Sequence, residues 1–134
     1  MKYWLTLLSF LLSFHAYAQE LAGRIPPELL QKASISKMDS LITLKANSKK
    51  EHRLVGYESP NIKSTPLMLF SIFTAEVEGN PQHLAFGAYY ETAGMGRMEL
   101  KYLGNDGPFI KAALTMHNNL LTEMYFESTY FEFE

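Results

Sequence analysis

The chain has 134 residues, a formal net charge of −2 at pH 7 and no cysteine. Because it is nearly neutral and has no basic patch, it lacks the charge on which nucleic-acid binding depends, and no nucleic-acid partner is expected. The missing cysteine excludes disulfides, thiol nucleophiles and thiolate metal sites.

The first eighteen residues have the features of a secretory signal peptide. Met1-Lys2 supplies a positive charge, residues 3–14 are mainly apolar, and Ala16-Tyr17-Ala18 offers small side chains for cleavage. The apolar run is shorter than the roughly 20 residues that span a bilayer. The sequence therefore predicts cleavage after residue 18, export to the periplasm or the extracellular space, and no stable membrane insertion afterwards. Residues 19–134 are expected to form one globular domain.

Residues 27–46 are predicted to form an amphipathic helix. Proline at the start and Glu28 beside it suit the first helical turn. Residues 19–56 also contain no Phe, Trp or Tyr, the side chains that strands favour. The apolar positions recur at roughly helical spacing: Leu30, Ala33, Met38, Leu41 and Leu44.

Residues 52–133 are predicted to form an antiparallel sheet. Turn-forming residues cluster at 59–61, 79–81, 93–96, 104–107 and 117–119, and the runs between them alternate or are apolar throughout. Connections this short leave no room for crossover helices, so neighbouring strands should pair antiparallel. The apolar positions of the last run change phase near Ser128, which predicts a bulge or kink there.

The predicted fold class is therefore α+β, with one N-terminal helix packed on a curved antiparallel meander of about five or six strands. Cystatin-like, nuclear-transport-factor-like and small lipocalin-like shapes all fit this description.

His83 is the candidate acid–base residue of the sequence. It shares a predicted strand face with Tyr89 and Glu91, and the ordinary histidine pKa of roughly 6.5 lies near working pH. His83 and Glu91 are thus the candidate catalytic residues of a small hydrolase or isomerase. No histidine stands at metal-ligand spacing from a second one, so neither a metal site nor a cofactor is predicted.

Acidic residues occur in pairs two or four positions apart, at 76 and 78, 123 and 127, and 132 and 134. Such residues share one face of a strand, so each pair is a possible carboxylate couple for calcium or for acid–base work. A solvated charged edge that discourages strand-to-strand aggregation accounts for the same pattern.

Apolar and aromatic side chains on neighbouring predicted strands are expected to face one concave surface. If the sheet curves more than one helix can fill, Phe86, Tyr90, Met98 and Tyr102 line a pocket, and the two phenols orient a ligand. The sequence therefore predicts a non-catalytic binding module for an apolar small molecule or an exported protein partner. The alternative is the small enzyme built on His83.

Overall fold

A computed structural model describes residues 25–134. The chain divides into two compact units, residues 1–30 and residues 31–134. In the first unit, the carbonyl of Pro26 accepts the amide protons of Leu29 and Leu30 in a short turn. The predicted signal peptide, residues 1–18, lies outside the described residues, and the single-domain interpretation of residues 19–134 stays a prediction. All strands named below belong to the second unit.

The described part of the second unit contains nine strands, one four-residue α-helix and two 3-10 helices. Within residues 25–134, no helix has the length and apolar character needed to cross a membrane. The bounds are β1 Ala33–Ile35, β2 Ile42–Thr43, β3 Arg53–Tyr57, β4 Pro66–Ser71, α1 Thr74–Val77, β5 Ala88–Tyr89, a 3-10 helix Thr92–Met95, β6 Met98–Asp106, β7 Phe109–Met116, β8 Asn119–Glu127, a 3-10 helix Ser128–Tyr130 and β9 Phe131–Phe133.

The strands form two sheets, one with the order β5-β4-β3-β8-β7-β6 and one with the order β2-β1-β9. Antiparallel pairing is confirmed for β3 with β4, for β6 with β7, and for β8 with both β3 and β7. β5 instead runs parallel to β4, and β9 runs parallel to β1. The sheet is not a simple meander, because the segment containing α1 carries the chain back before β5 begins, as a parallel connection requires.

The predicted α+β class is wrong, because the unit is mostly β and no helix of seven or more residues occurs in residues 25–134. The strands β1 and β2 lie where the amphipathic helix 27–46 was expected. Burial alternates there with period two: Ala33 and Ile35 are buried, and so are Ile42 and Leu44. Met38, which completed the helical pattern, is 98% exposed. The cystatin-like, nuclear-transport-factor-like and lipocalin-like shapes that needed this helix are overturned with it.

The chain moves from one sheet to the other at Ser128, the position of the predicted kink. β8 ends at Glu127, a 3-10 turn follows, and β9 then pairs with β1. On the opposite side, an isolated bridge joins Leu41 to Lys101 on β6. These two links hold the small sheet over the inner face of the large one.

The core lies between the two sheets. The buried side chains of β1 and β2 belong to the same apolar cluster as those on the inner face of the large sheet. The members of the cluster from the large sheet are Leu54, Met68, Phe70, Leu100, Ile110, Ala112, Leu114, Met124 and Phe126. Each sheet therefore buries its apolar face against the other.

We predict that G56A destabilises the protein by about 1–3 kcal/mol, because overpacking a filled core displaces neighbouring side chains. A Cβ at Gly56 would lie 2.5 Å from Met124 Sδ and 2.9 Å from Phe126 Cζ, and both side chains are fully buried. G94A is the matched control, because a Cβ at Gly94 meets nothing within 4 Å. Urea denaturation measures both variants, and equal midpoints for the two would contradict this packing.

Candidate functional site

The space between the two sheets is filled. An enclosed void there measures about 10 Å³ and is lined by core side chains such as Leu54, Phe70 and Phe126. A volume of that size holds about one water molecule. A metabolite or lipid does not fit between the sheets without repacking the core.

A larger concavity, called the edge cleft here, opens where the large sheet ends at β5. Its volume is about 280 Å³, near the lower end of the roughly 300–1,000 Å³ of ligand pockets. The end of α1, β5 and the 3-10 helix that follows supply its walls. The lining residues are Val77, Glu78, Ala88, Tyr89, Tyr90, Glu91 and Gly94.

Residues 90–92, called the strap here, fix the position of the edge cleft. The Tyr90 carbonyl accepts a hydrogen bond from His52 Nε2 at 2.7 Å. Glu91 Oε2 accepts the amide proton of Ala46 at 3.0 Å. These bonds tie the end of β5 to the start of β3 and to the segment that follows β2.

Thr92 completes the strap through both its backbone and its side chain. Its amide donates to the Leu44 carbonyl at 3.0 Å. Its Oγ1 accepts the Leu44 amide proton at 3.1 Å and lies 3.2 Å from the Leu44 carbonyl. Leu44 is buried, so Thr92 satisfies polar backbone groups that water does not reach.

A phenol–carboxylate hydrogen bond closes the solvent side of the edge cleft. Tyr90 Oη donates to Glu78 Oε1 at 2.7 Å. This bond raises the pKa of the Tyr90 phenol, which therefore stays protonated at neutral pH. The neighbouring Tyr89 donates instead to the Phe86 carbonyl at 2.8 Å, and its ring packs against Phe70.

His52 stands behind the strap and is fully buried. Its Nε2 bonds to the Tyr90 carbonyl, whereas its Nδ1 has no hydrogen-bond partner in residues 25–134. A carbonyl only accepts, so Nε2 carries the proton of the neutral ring. Burial lowers the pKa of His52, and the Tyr90 carbonyl and the Glu91 charge oppose this effect. The imidazole is therefore neutral at pH 7.

The two predicted catalytic residues lie in different surroundings. His83 is exposed in a turn, where its backbone φ is 52° and its amide donates to the Asn80 carbonyl. It lines neither the void nor the edge cleft. Glu91 lines the edge cleft and holds the amide of Ala46. In the described part of the chain, no hydrogen bond or ion pair joins His83 to Glu91.

Of the four predicted ligand-binding residues, Tyr90 lines the edge cleft. Phe86, Met98 and Tyr102 are partly buried against the main core instead. Tyr102 also donates to Asn105 Oδ1 at 2.9 Å, and its ring meets Phe133 edge to face at 5.3 Å. The structure therefore does not gather the four into one pocket.

The paired acidic side chains bind different partners instead of forming carboxylate couples. Glu76 Oε2 lies 2.8 Å from Arg53 Nε, whereas Glu78 accepts from Tyr90. Glu123 pairs with Lys111 at 2.9 Å, and partial burial raises the pKa of Glu127. Within residues 25–134, no group of three or more His, Cys, Asp or Glu side chains is placed to hold a metal ion.

Sequence reasoning missed two residues of the site, His52 and Thr92. For His52 a signal was present: Leu54 and Gly56 face the core, and period two places His52 on the same face. For Thr92 there was none, because its partner Leu44 lies 48 positions away.

Known proteins give no assignment for this site. No family model, no curated protein sequence and no solved structure matches the chain. What the edge cleft does is inferred below from its own geometry.

We predict that T92V costs about 1–3 kcal/mol of stability, because it leaves the buried Leu44 amide without its acceptor. T122V is the matched control, since the Thr122 hydroxyl bonds only to the carbonyl of the adjacent Glu123. This control is expected to change stability by less than about 0.5 kcal/mol. Thermal or urea unfolding compares the two, and an equal loss in both would contradict the role given to Thr92.

Proposed function

We propose that this protein is an exported, non-catalytic binding module that engages a protein partner through the edge cleft. The observation that carries the proposal is the contrast between a filled interior and an accessible concavity beside an edge strand. A protein partner needs only surface access, whereas an apolar small molecule needs an enclosed volume. The size of the edge cleft suits one or two side chains of a partner.

The edge strand supports recognition of an extended segment. β5 is the last strand of the large sheet and pairs only with β4 in the described residues. An unpaired strand edge offers backbone groups to an added strand, and a neighbouring pocket then selects side chains. The edge cleft lies beside β5 and would supply that pocket.

The charges of the edge cleft favour a cationic group on the partner. Its lining includes two carboxylates, Glu78 and Glu91, and no Lys, Arg or His. Each carboxylate uses one oxygen for an internal bond, to Tyr90 Oη and to the Ala46 amide. The other oxygen of each is available to a Lys or Arg side chain, with Val77 and Ala88 beside it for apolar contact.

We predict that selection from a displayed random-heptapeptide library on the wild-type protein enriches peptides that contain Lys or Arg. Their affinity should fall about tenfold or more in E78Q/E91Q, because charge-assisted hydrogen bonds contribute about 1.5–3 kcal/mol each. Glutamine retains the acceptors for Tyr90 and Ala46, so the variant should stay folded. Titration calorimetry or fluorescence anisotropy measures the affinities.

E99Q/E132Q is the control, because it removes the same net charge at two exposed positions outside the edge cleft. It should bind the enriched peptides as the wild type does. A selection that yields no enrichment, or peptides that bind E78Q/E91Q undiminished, would refute the proposal. No observation on the described residues favours the alternative enzyme, since His83 lies exposed and away from the edge cleft.

Export is the part of the proposal that depends on residues 1–18. We predict that N-terminal sequencing of the protein recovered from outside the cytoplasm begins at Gln19, because the small side chains at 16 and 18 fit a signal peptidase. Material that begins at Met1 would contradict export with cleavage.

A further inference from the structure

We propose that His52 is an acid-sensitive latch that holds the strap at neutral pH and releases it when the imidazole is protonated. The latch does not depend on what occupies the edge cleft. It rests on the placement of one side chain: His52 is fully buried, donates from Nε2 to the Tyr90 carbonyl and has an unpartnered Nδ1.

Protonation changes the hydrogen-bond partners that the buried imidazole ring of His52 needs. The proton enters from water at Nδ1, because Nε2 already carries one, and both ring nitrogens then become donors. In the closed structure Nδ1–H would face no acceptor among the described residues. A buried, positively charged ring with an unsatisfied donor is costly, so the ring moves toward water. That movement breaks its bond to Tyr90.

The surroundings of His52 do not offset this cost. The segments bonded to His52, to its neighbour Arg53 or to the strap carry six charged groups: Lys45, Glu51, Arg53, Glu76, Glu78 and Glu91. Of these groups, Glu91 is the one whose negative charge raises the pKa of His52. Burial lowers that pKa more strongly. Glu91 also gives one oxygen to the Ala46 amide.

The sign of the pH dependence follows from these contacts. Burial holds the pKa of His52 below its ordinary 6.5, which is regained when the strap opens and the ring meets water. The open state therefore binds more protons, and acid favours opening. The opening equilibrium should rise up to tenfold per pH unit as the pH falls from about 6.5 toward the lower pKa of the closed state. Above about pH 6.5 the opening equilibrium should not depend on the protonation of His52.

Opening of the strap should be a local event, because the strap lies at the edge of the structure. Its anchors are the bonds of Tyr90 to His52 and Glu78, of Glu91 to the Ala46 amide, and of the Thr92 backbone and side chain to Leu44. β7, in contrast, pairs along its length with β6 and β8. Segments at an edge open at lower free energy than central strands, and protonation of His52 lowers the opening free energy of the strap further.

Amide hydrogen exchange between pH 7.5 and 5, corrected for intrinsic exchange rates, tests the latch. The amides of Ala46 and Thr92 report on the strap, and those of Ala112 and Ala113 report on β7. In the wild type the strap amides should lose protection by up to tenfold per pH unit below about 6.5, and throughout this range they should exchange faster than the β7 amides, which open only with global unfolding. H52Q, which keeps an N–H donor for the Tyr90 carbonyl and does not titrate, should abolish this pH dependence, and H83Q should leave it intact.

A second measurement uses the wild-type protein alone, so it does not depend on whether a variant folds. An NMR titration should give His52 a midpoint below 6.5, and the Thr92 amide resonance should change with the same midpoint. Strap amides protected as strongly as those of β7 over the whole pH range, an unchanged pH dependence in H52Q, or a His52 midpoint at or above 6.5 would overturn the latch.

Discussion

The apolar contact between the two sheets is the interaction on which the rest of the structure depends. The short strands β1 and β2 and the adjacent Leu44 contribute four buried side chains, and these cover the inner face of the large sheet together with Met95 and Phe131. These side chains fill most of the space between the two sheets, where the void lined by residues of the described chain measures about 10 Å³. The edge cleft beside β5 is an accessible concavity at the margin of the large sheet.

The strap shows how the edge of the large sheet is held in place. Residues that leave a sheet edge still carry backbone groups that need partners. Here His52, the Ala46 amide and Leu44 supply them, and the side chains of Glu91 and Thr92 take part as well. Tyr90 and Glu91 therefore line the edge cleft and, together with Thr92, fasten it to the core. A change that loosens the strap therefore moves part of the lining of the edge cleft.

A buried histidine at that junction joins stability to pH. Most of the core is held by apolar packing, which does not titrate, and His52 is the fully buried titratable side chain among the described residues. The geometry also explains why the sequence alone favoured His83: both histidines stand near strand ends, and only tertiary packing leaves one in solvent and encloses the other.

The sequence by itself determined the parts of the fold that are local. Residues 97–102 alternate between charged and apolar side chains, and all but the first of them lie in β6. The short turns after β6 and β7 permit only antiparallel neighbours. Tertiary structure decided whether residues 31–46 form strands or a helix. Strands of three and two residues contain too few positions for an alternating pattern to be distinguished from helical spacing. β1 becomes a strand by pairing with β9 at the far end of the chain. The site was decided in the same way: His52, Ala46 and Leu44 meet the strap across 38 to 48 positions, and no local pattern records contacts made at that distance.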